Sequence, residues 1–117
     1  MPKYSKSEAL DLAKEKLIKS GCSEENTKGI SDGIIDAEFS GIKSHGFHYL
    51  PIYCNHLKIG KINGVSQPTL EKISNSSIKV NADNGFAHSA INKGLPLLFD
   101  MCSKEGISSM SIFNSYN

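Results

Sequence analysis

Ser44 and His45 stand side by side in the chain, and their types suit proton transfer. An imidazole with a reference pKa of about 6.5 can give or take a proton near neutral pH. A neighbouring hydroxyl can orient that ring or relay its proton. The same pair also suits a helix cap or a solvated loop, so spacing alone leaves both readings open. His45 and His48 are three residues apart and could be read as metal ligands, but no carboxylate or third histidine follows at ligand spacing. No metal site is therefore expected. Cys22, Cys54 and Cys102 are widely spaced and form no CxxC pair. An odd count of this kind fits reduced thiols in a cytoplasmic protein better than a disulfide framework. The chain carries neither a GxGxxG stretch nor a Walker motif.

The elements that must position Ser44 and His45 are mostly helical. Ser5 to Glu8 reads as a capping box, followed by Leu10, Ala13 and Leu17 at helical spacing and by Gly21 as a stop. Ser23 caps a second helix, with Glu24 and Glu25 in its first turn. Ile30, Ile34, Ala37 and Gly41 continue its inner face, and it should end near residue 41. A third helix is expected within Phe47 to Ile59, with Pro51 in its first turn and Leu50, Tyr53 and Leu57 on one face.

Beyond a loop between Gly60 and Pro68 the period changes to two. Thr69–Ser74 and Ser77–Ala82 read as strands around an Asn75-Ser76 turn, with Ile73, Ile78, Val80 and Ala82 alternating with polar neighbours. Asp83-Asn84-Gly85 is a turn into a fourth helix from Phe86 to Gly106. Pro96 should kink or split that helix. Ile107 to Phe113 is a last strand. His56 and His88 read as surface or capping residues.

The 117 residues are about one small domain in size, and 38% hydrophobic with 21% charged supports a packed core. A net charge of +1 gives no sign of a nucleic-acid or membrane surface, and no signal peptide or membrane-length apolar run is visible. All thirteen basic residues are Lys, so the usual bidentate clamp for a carboxylate is missing. The last strand runs into Asn114-Ser115-Tyr116-Asn117 with nothing after it, which reads as truncation.

The stretch from Ala37-Glu38 through Gly41 and Ser44-His45-Gly46 to Leu50-Pro51 and Tyr53 resembles the signature of the malate/L-lactate dehydrogenase family. That family includes ureidoglycolate and sulfolactate dehydrogenases and cyclic-imine carboxylate reductases. Leu57 to Asn63, Asp83 to His88 and Ile112 to Asn117 resemble further blocks of it in the same order, so the likeness runs from about Glu8 onward. Ser-His-Gly alone would be weak; four blocks in order are fairly specific.

The resemblance implies an α+β N-terminal segment. Residues 1–67 would be a helical subdomain with the Ser-His-Gly motif. Residues 68–117 would be the start of a non-Rossmann cofactor-binding domain. It implies NAD(P)-dependent interconversion of a malate- or lactate-like 2-hydroxy acid and a 2-oxo acid, or reduction of a cyclic imine carboxylate, in a cytoplasmic homodimer. His45 would be the proton donor and Ser44 the relay residue, with a relay Asp beyond residue 117. Asn114, Ser115 and Asn117 would open the loop for NAD or NADP. Many family members carry an Arg four residues after the His, against the substrate carboxylate. Here Tyr49 stands there, either as a substrate contact or as a core aromatic, and Lys43 is the nearest cation to take over the charge. A small non-catalytic binding module and a metal-dependent hydrolase on His45 and His48 are the rival readings.

Overall fold

In the computed structural model, which describes residues 3–116, the chain divides into two compact units that meet in sequence between Val65 and Ser66. The first unit is helical: α1 (Lys6–Lys19), α2 (Glu24–Phe39), two single-turn 3-10 helices (Lys43–His45 and Phe47–Tyr49) and α3 (Leu50–Lys58). Its first helix starts where the capping box predicts. The Ser5 hydroxyl accepts from the Glu8 amide at 3.2 Å, and the Glu8 carboxylate accepts from the Ser5 amide at 3.3 Å. Ser23 caps α2 by accepting from the Asn26 amide at 3.2 Å.

Ala9, Ala13 and Leu17 of α1, Ile30, Ile34 and Ile35 of α2, and Leu50 and Leu57 of α3 form the buried apolar set of this unit together with Cys22 and Ile62 from the connecting segments. Burying each large aliphatic side chain is worth roughly 1.5–3 kcal/mol. Leu10 is only half-buried, so the inner stripe of α1 runs through Ala9 instead. The chain after α3 is tied to the start of α2 through one carbonyl. Gly64 O accepts from the Ser23 amide at 2.9 Å and from the Asn26 side-chain amide at 3.0 Å. A Cβ at Gly64 would fall on the Gly21 carbonyl and 3.0 Å from Leu57 Cδ2, so only glycine permits this crossing.

The second unit is a three-stranded sheet with one helix. β1 (Thr69–Ser74) pairs antiparallel with β2 (Ser77–Asn81), and β2 pairs parallel with β3 (Ser109–Phe113). α4 (Ala87–Glu105) makes the crossover between β2 and β3 that parallel strands require. Val80, Ala82 and Ala90 form its buried centre, with Leu70, Met110 and Ile112 packed against them. At Gly94 the helix comes so near the sheet that a Cβ would lie 3.2 Å from Val80 Cγ2.

Three further expectations change. Pro96 does not split the fourth helix, which runs unbroken from Ala87 to Glu105. Pro96 and Asn92 are both exposed, so the Asn92 carbonyl that loses its donor faces water instead of a dry core. Ile73 does not join the inner face: the pairing of β1 shifts between Lys72 and Ser74, and Ile73 is 55% exposed. The last strand begins at Ser109, leaving Ile107 outside it and exposed.

Candidate active site

The turn that bears Ser44 and His45 is set up by the end of α2. Gly41, with φ +81°, lets the chain reverse there. Its amide donates to Glu38 O at 3.2 Å, and the Ile42 amide donates to Ala37 O at 2.9 Å, the paired bonds of a Schellman stop. The chain then winds into the first 3-10 turn, with His45 N donating to Ile42 O at 3.1 Å and Gly46 N to Lys43 O at 3.3 Å. Ser44 and His45 are both exposed on it.

Within this turn Ser44 Oγ lies 2.9 Å from His45 Nδ1. The contact occupies Nδ1 and leaves Nε2 as the nitrogen for proton exchange with a ligand. Tyr49, on the second 3-10 turn, stacks on the imidazole at 5.9 Å between centroids with the planes 16° apart. It also meets His48 edge-on at 6.3 Å and Tyr53 at 5.5 Å. His45 thus has a hydroxyl at one nitrogen and an aromatic plane along one face.

Tyr49 is half-buried. Tyr49→Phe keeps the stacked ring and removes only the hydroxyl. If the hydroxyl binds substrate, KM should rise several-fold, the scale of one neutral hydrogen bond. Tyr49→Ala should destabilise by less than the ~3–5 kcal/mol of a fully buried aromatic. Steady-state kinetics and thermal melts on both variants separate the two roles: a silent Phe variant beside a destabilised Ala variant leaves Tyr49 as packing alone.

Lys43 is paired with Glu38 on α2, Nζ to Oε2 3.3 Å. The lysine side chain is 74% exposed and the glutamate only 21%. Glu38 Oε2 is buried and accepts no hydrogen bond among the described residues, so Lys43 is its charge partner. The same oxygen would stand 2.7 Å from a Cβ at Gly46. Spacing gave no reason to single out Glu38; it matters because the backbone of the turn rests against it.

In the second unit, Asn114 follows β3 with φ +53°. Its amide group donates to Asn81 Oδ1 at 3.3 Å, and its carbonyl accepts from the Asn84 amide at 2.8 Å. Ser115 is half-buried, and Asn117 lies outside the described residues. The Tyr116 amide donates to Gly85 O at 2.9 Å, and the Phe86 and Tyr116 rings meet edge-on. Two loops are therefore locked together at the carboxyl ends of the parallel pair β2 and β3, beside the first turn of α4. Open sheets bind ligands at such ends. An exposed amide side chain and helix N–H groups suit the polar parts of a dinucleotide in kind. Of the surface or capping roles expected for His88, in that first turn, the fully exposed one does not hold. His88 is half-buried, its Nδ1 is enclosed without a hydrogen-bond partner among the described residues, and burial pushes its pKa down.

Among the described residues no three His, Cys, Asp or Glu side chains gather as metal ligands, and no helix is long and apolar enough to cross a membrane.

Known proteins place this geometry. The malate/L-lactate dehydrogenase family profile matches residues 4–117. The chain is 32% identical over 106 residues to delta(1)-pyrroline-2-carboxylate reductase 1 of Burkholderia ambifaria, which covers 91% of this chain and 31% of the relative. It is 30% identical over 95 residues to malate/(S)-sulfolactate dehydrogenase of Methanothermus fervidus, covering 81% of this chain and 28% of the relative. The crystal structure of delta1-piperideine-2-carboxylate reductase from Pseudomonas syringae superposes with a TM-score of 0.95 at 27% identity, over 98% of this chain and 35% of that one. The chain thus spans about a third of the length of the curated relatives it matches. With its Ser-His-Gly turn, helical first unit and small mixed sheet, the chain belongs to the malate/L-lactate dehydrogenase family.

Proposed function

We propose that this chain supplies the acid–base segment of an NAD- or NADP-dependent oxidoreductase that reduces a C=N or C=O bond next to a carboxylate. The observation that carries the reading is the 2.9 Å contact between Ser44 Oγ and His45 Nδ1. It orients an exposed imidazole with one nitrogen left for a ligand. When bound, the nicotinamide supplies the hydride to the substrate carbon. His45 delivers the proton that balances it, to the imine nitrogen or to the developing alkoxide, and takes that proton back in the reverse direction. Ser44 holds the ring and replenishes its proton.

Asn114 and Ser115, with Asn117, are proposed to receive the cofactor, and Lys43 and Tyr49 the substrate. A relay Asp and the rest of the cofactor pocket are assigned to sequence beyond residue 117, in a chain of the relatives' length. That chain is proposed to work as a cytoplasmic homodimer. Between the two substrate classes we favour the cyclic imine carboxylate. Relatives named as reductases of pyrroline- or piperideine-2-carboxylate match 83–92% of this chain at 28–32% identity, against 25–30% for the malate and sulfolactate dehydrogenases, and the solved structure with a TM-score of 0.95 bears such a name. A 2-oxo acid such as oxaloacetate or sulfopyruvate is the second reading, supported by the malate and sulfolactate dehydrogenases.

The test is oxidation of NADH and NADPH by a chain of the relatives' length carrying these residues. Δ1-Pyrroline-2-carboxylate, Δ1-piperideine-2-carboxylate, pyruvate, oxaloacetate and sulfopyruvate are the acceptors. Turnover with the imines above that with the oxo acids is expected, and no turnover by the 117 residues alone. Oxidation with none of the five acceptors would end the oxidoreductase reading. Activity in the 117 residues alone would refute the assignment of essential groups to sequence beyond them.

A further inference from the structure

We infer that Glu38 is a positioning residue: its half-buried carboxylate holds the Lys43 ammonium at the Ser44–His45 turn, where it receives the substrate's carboxylate in place of the arginine this chain lacks. The inference rests on the oxidoreductase reading for what the substrate is, and on the geometry for where it is held. Four observations converge. Lys43 Nζ and Glu38 Oε2 are 3.3 Å apart, with the lysine 74% exposed and the glutamate 21%. Glu38 Oε2 is buried and accepts no hydrogen bond among the described residues. The Glu38 side chain lies against Gly46, the residue after His45, so closely that a Cβ there would be 3.0 Å from its Cβ. The chain has thirteen lysines and no arginine, so any cation for a substrate carboxylate within this segment is an ammonium.

The physics sets the division of labour. Glu38 Oε2 is shielded from water and has no hydrogen-bond partner among the described residues, so leaving it without a counter-charge is costly and favours Lys43 staying beside Glu38 when a ligand arrives. An ammonium has three donors, and one partner does not exhaust them. The lysine is exposed, so its remaining donors can serve a second carboxylate beside His45. A free lysine would lose side-chain entropy of up to about 2 kcal/mol on binding, and the ion pair to Glu38 removes part of that loss in advance.

The experiment is calorimetric titration with pyrrole-2-carboxylate, a planar analogue that cannot be reduced, on a chain of the relatives' length. The variants are Glu38→Gln, Glu38→Asp and the double variant Glu38→Gln/Lys43→Met, each with thermal melts. The double variant removes both charges and leaves no buried ion unpaired, so folding is preserved. Binding should weaken about tenfold in Glu38→Gln and at least as much in the double variant, the scale of one charge-assisted contact. Glu38→Asp, which keeps the charge, should recover most of the loss. In kinetics KM should rise more than kcat falls. Wild-type affinity in Glu38→Gln would overturn the positioning role, and wild-type affinity in the double variant would overturn Lys43 as the carboxylate partner. Intact binding differences with no turnover by any chain would count against the oxidoreductase reading and leave the pair standing.

Discussion

Replacing His45 by alanine is expected to lower turnover by about 100-fold or more in a chain of the relatives' length, the usual contribution of a positioned general acid. That corresponds to about 2.7 kcal/mol of lost transition-state stabilisation. Hydride arriving at carbon leaves an electron pair on nitrogen or oxygen, and the proton must reach that pair as the charge develops. Water can replace the imidazole, but without the orientation that Ser44 Oγ gives the ring from 2.9 Å. KM should change by only a few-fold, because the contact with His45 strengthens in the transition state and is weak in the ground state. His45→Ala also removes one face of the stack with Tyr49, so thermal melts should accompany the kinetics. Ser44→Ala should cost less than His45→Ala, since it removes the orienting partner and leaves the acid in place. Steady-state rates with the preferred acceptor, followed by single-turnover rates, decide the matter. Near-normal turnover in His45→Ala would remove it as the proton donor.

The parts of this fold that were legible in the sequence are those governed by local chemistry. Ser5 with Glu8 and Ser23 with Asn26 make their bonds within three residues, so their spacing alone announces the start of α1 and α2. Gly41 and Gly106 stop helices because each takes a positive φ, at +81° and +84°, that other residues resist. What could not be read depends on neighbours distant in the chain or on which side faces water. Pro96 looks like a breaker until Asn92 is seen to be exposed beside it. Ile73 looks like a core residue until the bulge after Lys72 turns it outward. Leu10 looks like the inner face of α1, yet Ala9 takes that place where the helices come close.

The candidate site divides in the same way. Ser44 and His45 attract attention by type and adjacency, and a one-residue separation makes their contact easy to foresee. Glu38 does not, because a glutamate near the end of a helix is ordinarily a solvated charge. Its burial follows from the Schellman turn at Gly41, which folds residues 42–46 back over the last turn of α2. The stack of Tyr49 on His45, with His48 and Tyr53 in turn against Tyr49, likewise depends on the 3-10 turn at Phe47–Tyr49 preceding α3. The sequence places a helix within Phe47 to Ile59, and α3 lies inside those bounds; the 3-10 turn ahead of it carries no periodic signal of its own.

Gly46→Ala should then do damage that falls on catalysis more than on folding. The obstacle is α2. The added Cβ would lie 2.7 Å from Glu38 Oε2, 3.0 Å from Glu38 Cβ and 3.1 Å from Glu38 Cα. The carboxylate end can swing aside, but the Cβ and Cα belong to a helix fixed by the burial of Ile34 and Ile35 and cannot follow. The 3-10 turn is the softer partner, with exposed Ser44 and His45, so it is the part that moves. Overpacking of this kind costs about 1–3 kcal/mol in stability. A displacement near 1 Å of a reacting group can cost on the order of 100-fold in rate, and contacts of 3.0 and 3.1 Å are relieved by a smaller shift. The expected result is a protein that melts cooperatively a few degrees lower, with kcat reduced by up to about 10-fold. Adding Glu38→Ala to Gly46→Ala tests the cause, with kcat at saturating substrate compared against Glu38→Ala alone, which carries the loss of Lys43's partner by itself. It clears the carboxylate but leaves the helix backbone and Cβ, so it should restore little of the rate. Full recovery in that double variant would show that the carboxylate, and not the α2 backbone, sets the place of the Ser44–His45 turn. Unchanged kcat in Gly46→Ala alone would show that this turn does not have to hold its position for the reaction.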